Sequence, residues 1–448
     1  MQSVSLEIAK KYCCDVLVCG GGVSGFAAAV SAARSGANVI LLESGGYLGG
    51  TATKGLVAPF MTCYDAAGNN QIIKGLFSEL VNRMVRENGA VSYEDCRGGD
   101  SYSGYRTNGH IGVTPFDHEA LKRVTEQMCL DAKVKLLYHT TLIGCEKNRN
   151  HITRCYAADY SHVISINAKV FIDTTGYAAL AEKAGAEVMR GNDDGILQTA
   201  STFFTISGVD KMKLDTYMQD HNDMRERFFM AEIEAGKKDG SFPCGQNKLR
   251  IFENPDGTWS VNMTQQDEQL NELDCEAVTI AEIEQRKQIV KMIRFLRKHI
   301  PGLENIKLVV SGSDIGIRES RRIVGKTVFC LDDIQKARKF EDRIAVCANS
   351  IDIHHSDGVS YTAHQTENYY IPLSCLISNN IENLLTAGKS LSADKYAFAA
   401  VRVMPPCIAV GEAAGITAAI AAKNGVPAAD VPYKEVQKEL IKRGAYLN

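Results

Sequence analysis

Residues 15–43 read DVLVCGGGVSGFAAAVSAARSGANVILLE, and the order of residue types in that stretch fixes what kind of sheet the chain builds. Residues 16–19 are an apolar run suited to a strand buried on both faces, as in a parallel sheet. The run ends in Gly20-Gly-Gly22-Val-Ser-Gly25, a G-x-G-x-x-G pattern. Its three glycines serve a tight turn, a close approach of backbone to pyrophosphate, and contact between helix and strand. Residues 24–35 follow with Ala27, Ala28, Ala29, Ala32 and Ala33, good helix formers whose short side chains let a helix lie close to a sheet. Residues 38–42 make a second strand, and Glu43 stands at its end, about 20 positions after the glycines, near the spacing of a carboxylate that takes ribose hydroxyls. Strand, helix, strand and acid together predict a right-handed βαβ unit that binds a dinucleotide, with phosphates at the helix N-terminus. Gly20, Gly22, Val23, Ser24, Gly25 and Glu43 are its candidate contacts.

Beyond Glu43 the glycine-rich path continues as Ser44-Gly-Gly-Tyr-Leu-Gly-Gly50-Thr-Ala-Thr53, more than a nicotinamide-binding unit needs. Residues 116–131 have helical periodicity, and 134–145 with 152–166 alternate like antiparallel strands, implying a small sheet. Residues 169–173, KVFID, read as a further buried strand. Thr174-Thr-Gly176 then makes a glycine turn at its carboxyl end, where open α/β sheets place ligands. From residue 198 to 331 the texture changes to Thr-rich and aromatic strands (202–207 and 258–263), polar loops, and a long helix over 276–299. An inserted second domain is expected over 198–331, with the first domain assembled from 1–197 and 332–448. The expected fold class is α/β: a dinucleotide-binding fold with a central parallel sheet and an inserted β-rich α+β cap.

Composition removes several classes of function. The 448 residues are 45% hydrophobic and 23% charged, the balance of an ordinary globular chain rather than a fibrous or disordered one. Net charge is −3 with no block of one sign, so neither nucleic acid nor a polybasic membrane contact is expected, and small molecules are the expected partners. The 14 cysteines include no Cys-x-x-Cys pair and the first residues lack a signal-peptide pattern, so a reducing cytoplasm is the expected compartment. No metal site is expected, since thiolates are not grouped at short fixed spacings. The stretch 407–422 holds Glu412 and is too short and polar for a bilayer span.

The second glycine loop resembles that of FAD-dependent oxidoreductases of the glutathione-reductase-like superfamily. The likeness sharpens in residues 55–60 (GLVAPF), 317–325 (IRESRRIVG), 351–358 (IDIHHSDG), 388–392 (GKSLS) and 411–415 (GEAAG). Over nearly the whole chain these are similar to the family called FAD-dependent oxidoreductase. The resemblance implies FAD as cofactor, with Ser44, Gly49, Gly50, Thr51, Ala52 and Thr53 along the pyrophosphate and flavin. It further implies Thr175 and Gly176 on the adenosine side, and Gly388, Arg402 and Met404 closing over the flavin. Relatives that attach flavin through histidine carry it near the second loop, where this chain has Thr51, Ala52 and Thr53, so a non-covalent FAD is expected.

Two absences bear on the electrons. There is no redox Cys pair and no second G-x-G-x-x-G after a strand, so electrons are expected from the substrate or from an unknown donor or acceptor reaching the flavin directly. Flavin carries the hydride chemistry, which leaves the protein to place a substrate and manage a proton. Arg318, Arg321 and Arg322 form either a carboxylate clamp, with Arg321 favoured, or a solvated charged turn. His354 and His355 lie between acids, and a His pair so flanked can hold a proton donor of near-neutral pKa. In an extended segment only one of the two faces a given side, and His355 is preferred. Arg402, just before a proline-marked helix start, is either a flavin or substrate contact or a surface charge. The expected activity is hydride transfer between flavin and a small oxygenated or carboxylated metabolite. The alternatives are a reductase of an activated double bond, similar to fumarate reductases, and an FAD-binding electron-transfer subunit that needs a partner.

Overall fold

The structure is a computed structural model that describes residues 7–92, 95, 113–191, 195–221, 228–266, 270–354, 360–363 and 365–448. The opening stretch folds as its pattern requires: strand β1 (Ile8–Cys19), helix α1 (Val23–Arg34) and strand β2 (Val39–Leu42). Strands β3 (Lys135–Leu137), β4 (Thr141–Asn148), β5 (His151–Ala158) and β6 (Val163–Asp173) complete most of one sheet in the order β3-β2-β1-β6-β5-β4. A late strand, Leu384–Thr386, adds to β6 in parallel, register Leu385 to Ile172. β3, β2, β1 and β6 are parallel and the β4–β5 hairpin is antiparallel, giving the mixed α/β architecture with a mostly parallel central sheet.

Successive residues of a strand face opposite sides, and both sides are buried here. Val16, Val18, Val39, Leu41, Val170 and Ile172 pack into one core, while Leu17, Cys19, Ile40, Leu42 and Phe171 pack into another. On the first face α1 crosses the helix Met404–Asn424. At Gly415 an added Cβ would stand 2.2 Å from the Ala28 carbonyl oxygen, so the two helix backbones touch where glycine and alanine meet. By length and apolarity alone the Met404–Asn424 helix passes for a membrane span, but it is mostly buried in this crossing.

Two local readings differ from the sequence. Lys135–Leu137 joins the parallel sheet instead of starting a hairpin. The stretch 152–166 is broken at Asp159, whose Oδ1 accepts the N–H groups of Ser161 (2.8 Å) and His162 (2.7 Å). That Asx-type turn ends β5, and β6 then runs unbroken to Asp173.

A further core consists wholly of residues between Phe204 and Ile306. Its antiparallel sheet has the order Lys307–Ser311, Phe204–Ser207, Trp259–Val261, Ile251–Glu253. Over it lies the helix Cys275–His299, capped by Asp274 accepting the Glu276 N–H at 3.0 Å. The chain enters and leaves this part along paired strands, Val188–Arg190 with Arg321–Ile323, extended by a bridge between Ser201 and Gly316. Ile323 and Phe329, inside the segment 198–331, already pack in the cores of the main body.

Candidate cofactor cleft and substrate cavity

Where β1 ends, Gly20 adopts φ +105, and a Cβ there would meet the Thr174 carbonyl oxygen at 2.6 Å, so only glycine makes this turn. Thr174 ties the turn to the end of β6, its hydroxyl donating to the Cys19 and Gly20 carbonyls (2.9 and 2.7 Å). Gly25 serves packing: a Cβ would fall 1.8 Å from the Gly20 oxygen. Gly22 differs, with φ −63 and no protein atom within 4 Å of where its Cβ would be. No side chain caps α1, so its first N–H groups are offered to the cleft beside Gly22.

Glu43 is buried beside the first glycine turn. Its Oε2 accepts the Gly21 N–H (2.8 Å), and its Oε1 accepts the Gly45 N–H (2.6 Å) and the Lys54 ammonium (2.7 Å). Burial alone raises a carboxyl's pKa, yet Lys54 and these donors hold Glu43 below the ordinary carboxylate range. The second glycine loop runs beside the first, bridged Gly22 to Gly49, with the Gly49 N–H donating to Gly21 O at 2.9 Å.

These loops enclose a cleft of about 350 Å³. Gly20, Gly22, Val23, Ser24 and Glu43 line it, as do Ser44, Gly49, Gly50 and Thr51 of the second loop. Thr175 and Gly176 enter from the end of β6, Arg402 and Met404 from the C-terminal part. Four residues expected there lie elsewhere. Gly25 is consumed in packing, and Gly388 sits against Ser24, with an added Cβ 2.2 Å from its Oγ. Ala52 is buried with its carbonyl on His118 Nδ1 (2.7 Å), and Thr53 turns its hydroxyl to the Leu48 carbonyl (2.8 Å). Lys54, Asp314, Lys389 and Cys407 also line the cleft; none of the four is among the expected contacts, although Lys389 lies within the quoted stretch 388–392. Lys54 and Lys389 each follow a flagged glycine loop, a signal that was readable. Asp314 comes from the distant segment, where none was.

A second cavity of about 190 Å³ shares Thr51, Lys389, Arg402 and Met404 with the cleft. Into it the strand Ile351–His354 turns Asp352 and His354, while Ile351 and Ile353 point into the core. His354 Nε2 lies 2.8 Å from Asp352 Oδ2, and Arg402 Nη2 donates to the Asp352 carbonyl at 2.9 Å and its carboxylate at 3.4 Å. Burial above all lowers the His354 pKa to about 4; Asp352 opposes this and Arg318 adds to it. Asp352 is held well below its ordinary value by His354 and Arg402, against the effect of burial.

Arg318 also lines this cavity, its Nη1 on the Thr199 carbonyl (2.5 Å) and Nη2 on the Ser201 hydroxyl (2.8 Å). Arg321 lines neither cavity. It donates to the Tyr177 carbonyl (3.0 Å) and pairs with Glu182, because its place in the paired strand Arg321–Ile323 turns it toward the main body. Arg322 is buried against Glu319. His355 lies outside the described residues. Arg250, Phe203, Phe228 and Asn349, which no motif marked, also line the cavity.

The residues present fit an adenine–flavin dinucleotide. The space beside Gly22 is open, the helix N-terminus is uncapped, and the buried Arg402 Nε has no hydrogen-bond partner among the described residues, at the wall common to both cavities.

Over residues 15–440 the chain matches the family described as FAD dependent oxidoreductase. No curated protein matches it. Similar solved structures include a geranylgeranyl bacteriochlorophyll reductase-like protein from Thermoplasma acidophilum (13% identity, 97% of this chain and 85% of that one, TM-score 0.48). The p-nitrophenol 4-monooxygenase of Pseudomonas putida DLL-E4 (11%, 98% and 88%, 0.47) is another. A third is the L-amino acid deaminase of Proteus myxofaciens (11%, 97% and 95%, 0.47).

Proposed function

Given that the chain belongs to the FAD dependent oxidoreductase family, and is therefore an FAD-dependent enzyme, we propose that it moves a hydride between flavin and a small oxygenated or carboxylated metabolite held in the second cavity. The observation that carries this reading is the Asp352–His354–Arg402 constellation in a cavity whose wall is shared with the cofactor cleft. Flavin, when bound, supplies the hydride chemistry. Val23, Ser24 and Glu43 hold its nucleotide part, and Thr51, Arg402 and Met404 are the candidates beside its reactive half.

Asp352 holds the His354 ring through Nε2, and a pKa of about 4 leaves that ring neutral at pH 7. As a substrate C–H gives up its hydride, His354 takes the proton from the adjoining O–H, and Asp352 stabilises the imidazolium that forms. Arg402 fixes Asp352 and brings a positive charge to the shared wall. FAD is held non-covalently: of the two cysteines lining the cleft, Cys19 is buried at the end of β1, and Cys407 is pushed up to about 12 by burial and donates to the Arg402 carbonyl (3.3 Å), so it is no nucleophile at neutral pH. With no second nicotinamide motif, the other half-reaction falls to a donor or acceptor that reaches the same cavity.

One observation favours a second reading. Burial lowers the pKa of the Arg402 guanidinium below its ordinary value, which suits it to return a proton in the reduction of an activated double bond. Anaerobic titration separates the two. Bleaching of the flavin by a hydroxy or amino compound supports dehydrogenation, whereas reoxidation of chemically reduced enzyme by an unsaturated acid supports the second. A flavin inert to both panels sinks hydride transfer to metabolites.

A further inference from the structure

Among the described residues, the charged groups lining the second cavity are mostly cations. Arg250, Arg318, Lys389 and Arg402 line it, against Asp352 as the single carboxylate among its described lining residues. Asp352 is already engaged by His354 and Arg402. Lys389 donates to the Ile317 carbonyl (2.6 Å), an acceptor without charge. Arg250 donates Nη1 to Gln246 Oε1 at 2.9 Å, and Gln246 is buried and fixed in turn by donating to the Thr264 carbonyl (2.8 Å). The guanidinium is thus positioned by a neutral side chain, with no ion pair among the described residues.

Cations gathered in a confined, partly apolar space repel one another. Lys389 is accordingly brought down to about 8, chiefly by burial with Arg402 adding, and Arg250 and Arg318 both push His354 the same way. An anion entering the cavity relieves that repulsion. The remaining wall includes Phe203, Phe228 and Met61, an apolar surface no inorganic ion would use, and a volume of about 190 Å³ falls below the range of drug-sized sites, about 300–1,000 Å³.

On the premise that this cavity is the substrate site, we propose that Arg250 is its specificity-determining residue, and that the substrate is a small carboxylate with an apolar body, the carboxylate on Arg250 and the body against Phe203 and Phe228. The planar fork of arginine matches a carboxylate in two parallel hydrogen bonds. Arg250 and Phe228 come from the segment 198–331, so that segment supplies the contacts that select the ligand.

FAD-loaded protein titrated with benzoate, phenylacetate and acetate, followed by the flavin absorption band and by thermal shift, tests this. Benzoate or phenylacetate should bind saturably, and benzamide at least about tenfold more weakly. Loss of a charge-assisted hydrogen bond corresponds to roughly 10- to 100-fold in affinity, so Arg250→Gln should weaken benzoate by that much and leave benzamide as it was. Arg250→Lys, which keeps the charge but not the fork, should fall between. Equal binding of acid and amide, equal weakening of both by Arg250→Gln, no saturable response to any of the carboxylates, or inorganic phosphate competing as well as benzoate would each overturn the proposal. Its failure is separable from that of hydride transfer. Arg250-dependent benzoate binding with a flavin inert to every donor keeps this inference and removes the other. Bleaching by a neutral alcohol at a rate that Arg250→Gln leaves unchanged does the reverse.

Discussion

His354 is a neutral base because of where it stands. Burial comes first, Arg318 and Arg250 contribute, and the Asp352 partner offsets only part of the effect. Its folded pKa, about 4, lies below an unfolded value of about 6.5. The unfolded chain therefore binds the proton more readily, and the stability this group contributes is complete above pH about 6.5 and is lost as pH falls toward 4. Asp352, also held low, acts in the same direction. Wild-type protein should lose more of its thermal midpoint between pH 6.5 and 4 than His354→Gln does, and the same substitution should slow anaerobic flavin reduction by roughly 10²- to 10⁴-fold at unchanged FAD content. Parallel pH profiles together with an undiminished reduction rate would remove His354 from the mechanism. Part of this was legible: Asp352-Ile-His354 is an i, i+2 pair, which any strand places on one face. Arg250 was not, because nothing in Leu249-Arg-Ile251 marks a residue that faces a cavity shared with Asp352 and His354, about a hundred positions further on.

Glycines decide how closely elements meet, and two of them separate folding from cofactor binding. At Gly415 a methyl group would lie 2.2 Å from the Ala28 carbonyl oxygen in the crossing of α1 with the Met404–Asn424 helix, so Gly415→Ala forces the helices apart at a cost of about 1–3 kcal/mol. At Gly22 the same methyl meets no protein atom within 4 Å, and φ −63 suits alanine. Gly22→Ala should leave the unfolding midpoint of the apoprotein unchanged and abolish FAD retention, while Gly415→Ala should lower the midpoint even without cofactor. Apoprotein melting curves and flavin content after gel filtration check both; a Gly22→Ala protein that keeps its FAD would refute the pyrophosphate approach at this turn. The G-x-G-x-x-G signature made the first βαβ unit readable because each glycine answers a separate steric demand. The β5–β6 boundary was hidden, since Asp159 looks like any polar residue until its carboxylate caps a turn.

Across the whole molecule, the cofactor cleft lies where the two ends of the chain and the segment 198–331 meet. The Lys54 carbonyl accepts the Ser313 N–H (2.7 Å) and hydroxyl (3.2 Å), and Asp314 and Ile315 line the cleft. FAD bound there touches residues of both parts, so its binding energy should stabilise both cores. One residue reports on the second core alone: Trp259 is the single tryptophan of the sequence and is buried in that core, on the sheet beside Phe204 and Ile206. Free FAD at a hundredfold excess over its Kd adds about 2.7 kcal/mol to a folded state that binds it. The Trp259 fluorescence midpoint should then rise together with the far-ultraviolet circular dichroism midpoint, which is dominated by the larger body. If the second core instead melts as a cap joined only by its two paired strands, FAD will move the circular dichroism transition and leave Trp259 where it was. That outcome would mean the contacts of Ser313 and Asp314 close the cleft without coupling the two cores.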